Sequence, residues 1–377
     1  MKVIIIGTAY PYRGGLSAFN ERLAEEYTSQ GHDVEIYTFT LQYPSFLFPG
    51  KTQYSDELAP KNLKIKRRIN SINPFNWIKT GREIRKKQPD LVIIKFWLPF
   101  MAPCFGTMLR IIRKNKNTRI ISILDNIIPH EKRIGDRALT QYFVNAVDGF
   151  VAMSKSVLND LNTFDSKKPK AFSPHPLYDN FGEKISRQEA IQKLNLDESQ
   201  RYMLFFGFIR DYKGLDLLLK AYADNRFRSG NIKVIVAGEF YNNADQYFDL
   251  EKKLGLQGEV IWRTDFIPDS EVKYYFCAAD IIVQPYKSAT QSGVTQIAYH
   301  FEKPMLVTNV GGLSEIVPDG KVGYTVNANE KDIANALIDF FENKKNDDFI
   351  ENIIQEKEKY TWSKMTNTIN SLMNLSK

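Results

Sequence analysis

The feature that most narrows the fold is an alternation: short apolar runs bounded by turn residues give way, again and again, to longer amphipathic stretches. Runs at 3–6, 34–38, 91–94, 120–123 and 149–153 read as strands, and so do 202–206, 234–237, 260–262, 281–284 and 305–308. A strand covered on both faces is apolar throughout, and such strands belong to parallel sheets flanked by helices. The stretches between them, among them 17–29 and 215–224, carry the helical period that supplies those flanks. At 377 residues the chain is longer than one core normally serves. The pattern restarts at Tyr202 after a broken, proline-rich stretch over 173–182. The expected fold is α/β, two Rossmann-like doubly wound domains in series, over 1–175 and 182–355.

Hydrophobic residues at 43% and aromatic residues at 13% suffice for two cores and exclude a disordered chain. The two cysteines, Cys104 and Cys277, cannot form a disulfide framework; they fit a reducing cytoplasm as small buried hydrophobes. The opening MKVIIIGTAYP is too short an apolar run for a signal and reads as a first strand. The apolar stretch 91–112 is interrupted by Lys95, Pro99 and Pro103, so it predicts a strand, a loop and a helix instead of a membrane span.

Two segments have the chemistry of an anion site. In QSGVTQIAYHFEKPMLVTNVGGLSEIV, residues 291–317, Ser292 and Gly293 open a helix that runs through Val294, and its first N–H groups and dipole favour a phosphate. Pro304 then ends that element, 305–307 form a buried strand, and Gly311-Gly312 lets backbone approach a ligand. In FFGFIRDYKGLD, residues 205–216, Arg210 and Lys213 lie three apart just past a strand end, placed to clamp a diphosphate. The first glycine loop, ending at Gly14 and Gly15, lacks the GxGxxG spacing of a dinucleotide site, and no GxxxxGK[ST] occurs. Hydride transfer and P-loop chemistry lose their main support.

A glycine loop after the first strand, FxG…R…KG opening the second domain, and KPxxVTxVGGLxEIV after a helix together resemble the GT-B glycosyltransferases, specifically retaining family 4. The resemblance covers nearly the whole chain, is most specific over 206–317 and is weakest over 40–87. It implies two domains facing a cleft, a sugar nucleotide on the second and an acceptor mostly on the first. It also implies a helix over 356–377 crossing back to the first domain, transfer with retention, and no metal or other cofactor. The donor is expected to be UDP- or GDP-linked. Matched by position, Gly14 and Gly15 approach the donor, Arg210 and Lys213 hold its diphosphate, and Ser292, Gly293 and Val294 meet the distal phosphate. Gly311, Gly312 and Glu315 complete the GGLxEIV motif.

Two family glutamates, eight apart, correspond here to Ala289 and Ile297, neither of which hydrogen-bonds a hydroxyl. Gln291 or Gln296 is left for that task, against a plain reading of both as helix-surface polarity. In SILDNIIPHEKR, residues 122–133, Asp125 stands where many family members carry a histidine facing the donor sugar, and His130 follows. A carboxylate there takes the acceptor proton or meets positive charge at the anomeric carbon.

Net charge is +7, and residues 61–87 hold ten Lys or Arg against the single acid Glu83. With Phe75, Trp77 and Ile78 interleaved, this suits an anionic membrane surface, with a solvated basic helix as the rival. Nothing matches a nucleic-acid-binding motif, so nucleic acid is not an expected partner. The expectation is a cytoplasmic glycosyltransferase, peripheral on the inner face of the membrane, acting on a glycan or lipid-linked acceptor. A nucleotide-sugar epimerase of the same architecture and a non-catalytic sugar-nucleotide binding protein are the alternatives.

Overall fold

The computed structural model describes residues 1–44, 53–55, 58–129, 133–227, 231–241, 243–289 and 292–375. Two compact units make up the chain: Met1–Pro176 with Thr361–Lys377, and Leu177–Tyr360.

The first unit is built on a seven-stranded sheet of β1 (Lys2–Ile6), β2 (Asp33–Leu41), β3 (Ile65–Asn70), β4 (Leu91–Phe96), β5 (Arg119–Leu124), β6 (Gly149–Ala152) and β7 (Lys170–Phe172). The spatial order is β3-β2-β1-β4-β5-β6-β7 and every pairing is parallel. Successive residues serve opposite faces, as a pleat requires. Ile4, Ile6, Val92 and Ile94 join one core layer, while Val3, Ile5, Leu91 and Ile93 join the other. The second layer is closed by the helix Gly15–Ser29 and by the chain's last helix, Trp362–Leu375. That last helix contributes Trp362, Met365, Ile369 and Leu372, an apolar stripe at helical spacing.

The second unit has a six-stranded sheet of β8 (Arg201–Phe206), β9 (Ile232–Ala237), β10 (Val260–Arg263), β11 (Ile281–Gln284), β12 (Met305–Thr308) and β13 (Gly323–Val326). Its order is β10-β9-β8-β11-β12-β13, again parallel throughout. In both sheets the order reverses beside the first strand, between β1 and β4 and between β8 and β11. Ligands of such sheets bind at the carboxyl ends of the strands flanking that switch point.

The strands absent from the sequence reading are β3, β7 and β13, and all three are sheet edges. An edge strand is half-covered and often charged, so its apolar run can be lost, as in these three, whereas the fourth edge, β10, keeps one. The segment IKRRIN of β3 is the clearest case. Residues 91–112 fold as β4, a short turn Pro99–Met101 and the helix Ala102–Ile112, as expected. Among the described residues no helix is long and apolar enough to cross a membrane. Cys104 and Cys277 are both free and buried.

Candidate functional site

At the switch point of the second sheet, the chain leaves β8 through Gly207 and enters a tight loop over 207–214. Gly207 has φ +91°, a backbone conformation that favours glycine, and a Cβ there would lie 2.9 Å from the Lys213 Nζ and displace that ammonium. Gly214, at φ +70°, closes the loop against the Pro285 carbonyl, where a Cβ would come within 2.0 Å of the oxygen. Neighbouring contacts fix the loop: the Tyr247 hydroxyl and the Gln246 amide donate to Asp211 Oδ1, each at 3.1 Å, and the Lys287 N–H donates to the Tyr212 carbonyl at 2.7 Å.

This frame holds the two predicted cations differently from a pair of solvated side chains. Arg210 is half-buried with its guanidinium 3.7 Å from the centre of the Tyr241 ring. Lys213 is 8% exposed, with Nζ 3.4 Å from the Phe206 carbonyl and 5.7 Å from the centre of the Tyr286 ring. Burial pushes its pKa down to about 7, and the Arg210 charge acts in the same direction. Lys213 is therefore not an exposed loop cation: it is buried, with the Phe206 carbonyl as its hydrogen-bond acceptor.

Tyr286 ties this loop to the helix that follows β11. Its hydroxyl lies 3.3 Å from Ser292 Oγ, and Ser292 caps the helix Gly293–His300 by accepting from the Val294 N–H at 3.2 Å. A Cβ on Gly207 would also lie 4.0 Å from Val294 Cγ2, so the loop and the helix start are in contact range. Gly293 is glycine for a local reason as well, since a Cβ would meet the Tyr178 ring at 2.8 Å. The structure thus brings Arg210, Lys213, Ser292, Gly293 and Val294 to one place. An oriented helix start and two cations are what a diphosphate requires.

The other second-unit candidates divide. Gly311 and Gly312 follow β12, the adjacent strand, whose last residue Thr308 donates from its hydroxyl to the Tyr286 carbonyl. Gly311 is exposed with φ +53°, Gly312 is buried, and Glu315 is exposed on the short helix Leu313–Ile316. Gln296 does not lie on a helix surface: it is fully buried, and neither of its amide atoms has a partner among the described residues. Gln284, at the end of β11, is in the same condition. Ile297 is buried and Ala289 half-buried. Gln291 and His130 lie outside the described residues.

In the first unit, Gly14 has φ +99° and is exposed, and Gly15 begins the helix Gly15–Ser29, two residues earlier than its sequence pattern shows. Asp125 stands one residue past β5, and its N–H donates to the Phe96 carbonyl at 3.0 Å, which sets it beside the end of β4. Its Oδ1 lies 3.2 Å from the Nζ of Lys95. Sequence reasoning passed over Lys95 except as an interruption of an apolar run. The ion pair fixes the carboxylate at the end of β5, next to the end of β4. His175 is buried in this unit, edge-on to Phe19 with ring centres 5.1 Å apart, and its Nδ1 donates to the Pro176 carbonyl at 2.7 Å.

The basic segment also differs from a single helix. Arg67 and Arg68 belong to the edge strand β3, and Trp77 packs against the core while its indole N–H donates to the Asn70 carbonyl at 2.7 Å. Phe75, 85% exposed, remains on the outer face of the helix Pro74–Lys86 with Lys79, Arg82 and Lys86.

Residues 13–171 match the family model described as Glycosyltransferase Family 4, and residues 186–356 match the one described as Glycosyl transferases group 1. The chain is 25% identical over 373 residues to an uncharacterised glycosyltransferase of Methanocaldococcus jannaschii, covering 97% of this chain and 95% of that protein. Its fold is similar to that of sucrose-phosphate synthase from Thermosynechococcus elongatus, with TM-score 0.76, 14% identity and 100% and 99% of the two chains covered. It is also similar to Anabaena HepE in complex with UDP, with TM-score 0.73, 14% identity and 99% and 100% covered. Two parallel-sheet α/β domains of this kind are the GT-B architecture.

Proposed function

Because the chain belongs to the glycosyltransferases of family 4 and group 1, we propose that it transfers a sugar from a nucleoside diphosphate donor to a glycan or lipid-linked glycan, with retention and without a metal. The observation that carries this reading is the meeting of Arg210, buried Lys213 and the Ser292-capped helix start at the β8/β11 switch point. The two cations supply the positive charge that a departing diphosphate needs, each charged hydrogen bond contributing about 1.5 to 3 kcal/mol. UDP is the favoured nucleotide, since it is the one held by the similar fold of HepE. In the first unit Asp125 accepts a hydrogen bond from a sugar hydroxyl, a carboxylate being an acceptor and not a donor. The epimerase and binding-protein alternatives have no counterpart among the matched families.

The outer face of the helix Pro74–Lys86 supports a further part of the reading, peripheral contact with an anionic bilayer. Phe75 supplies an apolar wedge, and Lys79, Arg82 and Lys86 surround it without an ion pair among the described residues.

The test is a donor panel of UDP-glucose, UDP-galactose, UDP-N-acetylglucosamine and GDP-mannose, assayed for turnover with and without EDTA, together with calorimetry of UDP and GDP binding. Turnover is expected to persist in chelator, and Arg210→Ala and Lys213→Ala each weaken nucleotide binding while the fold stays intact. Unchanged affinity in both variants removes the clamp, and activity lost in EDTA and restored by magnesium removes the metal-free mechanism.

A further inference from the structure

β4 reads LVIIKF and is buried along its whole length. Its fifth residue, Lys95, is 2% exposed. The pleat places Lys95 on the face of Leu91 and Ile93, which join an otherwise apolar layer with Phe19, Ile121, Ile123 and Trp362. An ammonium taken out of water into such a layer is strongly disfavoured, and burial does hold the Lys95 pKa below its ordinary value.

Two groups compensate. The Phe19 ring lies with its centre 3.4 Å from Nζ, a close cation–π contact, and Asp125 Oδ1 lies at 3.2 Å. His175, packed on the same Phe19 ring, does not compete for the carboxylate as a cation. Burial holds it neutral, the Lys95 charge adds to that effect, and its Nδ1 proton is committed to the Pro176 carbonyl.

A lysine here is a poor choice for packing alone. Apolar residues of similar volume in place of a buried ion pair commonly leave a fold as stable or more so. A locally unfavourable residue is expected where function requires it, and the carboxylate that Lys95 holds stands at the carboxyl end of β5, beside the strand where the sheet order reverses. We propose that Lys95 is a positioning residue for glycosyl transfer, a buried cation that holds the Asp125 carboxylate in place for a sugar hydroxyl. This rests on the reading of Asp125 as a sugar contact.

The two claims separate with three variants, Lys95→Met, Lys95→Gln and Lys95→Met/Asp125→Asn, assayed with whichever nucleotide sugar of the panel turns over fastest and by thermal unfolding. The double variant is used because Asp125→Asn alone strands a buried ammonium. Lys95→Met is expected to unfold at the native temperature or above, yet to lose roughly 10- to 100-fold in kcat with donor KM within about two-fold. Lys95→Gln, which still donates to the carboxylate, falls between, and the double variant is no slower than Lys95→Met because both changes act on one interaction. Native turnover in Lys95→Met with a slow double variant overturns the role of Lys95 and leaves Asp125 standing. Native turnover in all three overturns Asp125 as well. A Lys95→Met protein that unfolds far below the native temperature shows that the lysine serves the fold, and the proposal falls.

Discussion

Lys213 shows how one residue can couple ligand and proton. With its pKa pushed down to about 7, the folded, unliganded protein releases this proton over a range in which the unfolded chain still holds it. The unliganded fold therefore gains stability from this group as pH rises from about 7 towards the ordinary lysine value. A diphosphate beside the ammonium acts in the opposite sense and restores the proton. At pH 8, UDP binding is expected to take up a proton, seen by calorimetry in two buffers of different ionisation enthalpy, and affinity should fall between pH 7 and pH 9. In Lys213→Met the uptake should vanish along with much of the affinity. Uptake that persists in that variant assigns the proton elsewhere. The spacing of Arg210 and Lys213 was legible in the sequence. Their burial was not, because it depends on Gly207, Tyr241 and Tyr286, which the chain brings in from β8 and two other loops.

Among elements, the last helix carries a clear stability argument. Trp362–Leu375 lies last in the chain, yet its apolar stripe completes the core layer under β1, β4, β5 and β6. Trp362 packs on Phe19 at 5.1 Å between ring centres and receives the Arg22 guanidinium at 5.4 Å. Trp362→Ala is expected to cost about 3 to 5 kcal/mol, read by chemical denaturation, since a large cavity opens beside the Lys95 cluster. A loss below about 1 kcal/mol would mean that the helix is only loosely docked. Both the helix and its docking on the first unit are what the family resemblance implies, and the structure places its apolar stripe in that unit's core layer. Among the strands, buried ones announced themselves by apolar runs, and the edges β3, β7 and β13 did not, because an edge needs backbone pairing more than apolar side chains.

For the molecule as a whole, the question is what its charge excess faces. Several cations of the basic segment are already committed: Lys66 and Lys87 both pair with Glu35, at 3.0 and 2.7 Å, and Arg68 with Glu83 at 3.6 Å. Among the side chains left for an anionic surface are those of the outer helix face. Phe75→Ser with Lys79, Arg82 and Lys86 changed to Gln is therefore expected to release the protein from phosphatidylserine-containing liposomes, each cation contributing about 1 kcal/mol. Transfer to a short soluble acceptor should hardly change. Equal loss on soluble and lipid-linked acceptors would instead assign these residues to the fold. The sequence by itself determined the class of fold, the two parallel sheets and the loops at their switch points, since those follow from local periodicity and turn chemistry. Only the tertiary structure decided which charges are spent on partners and which remain. Trp77 faces a core instead of a membrane, Gln296 is sealed inside its helix layer, and Asp125 is bound to a lysine thirty residues earlier in the chain. Such pairings join residues distant in sequence, and burial, which sets their energy, has no local signature.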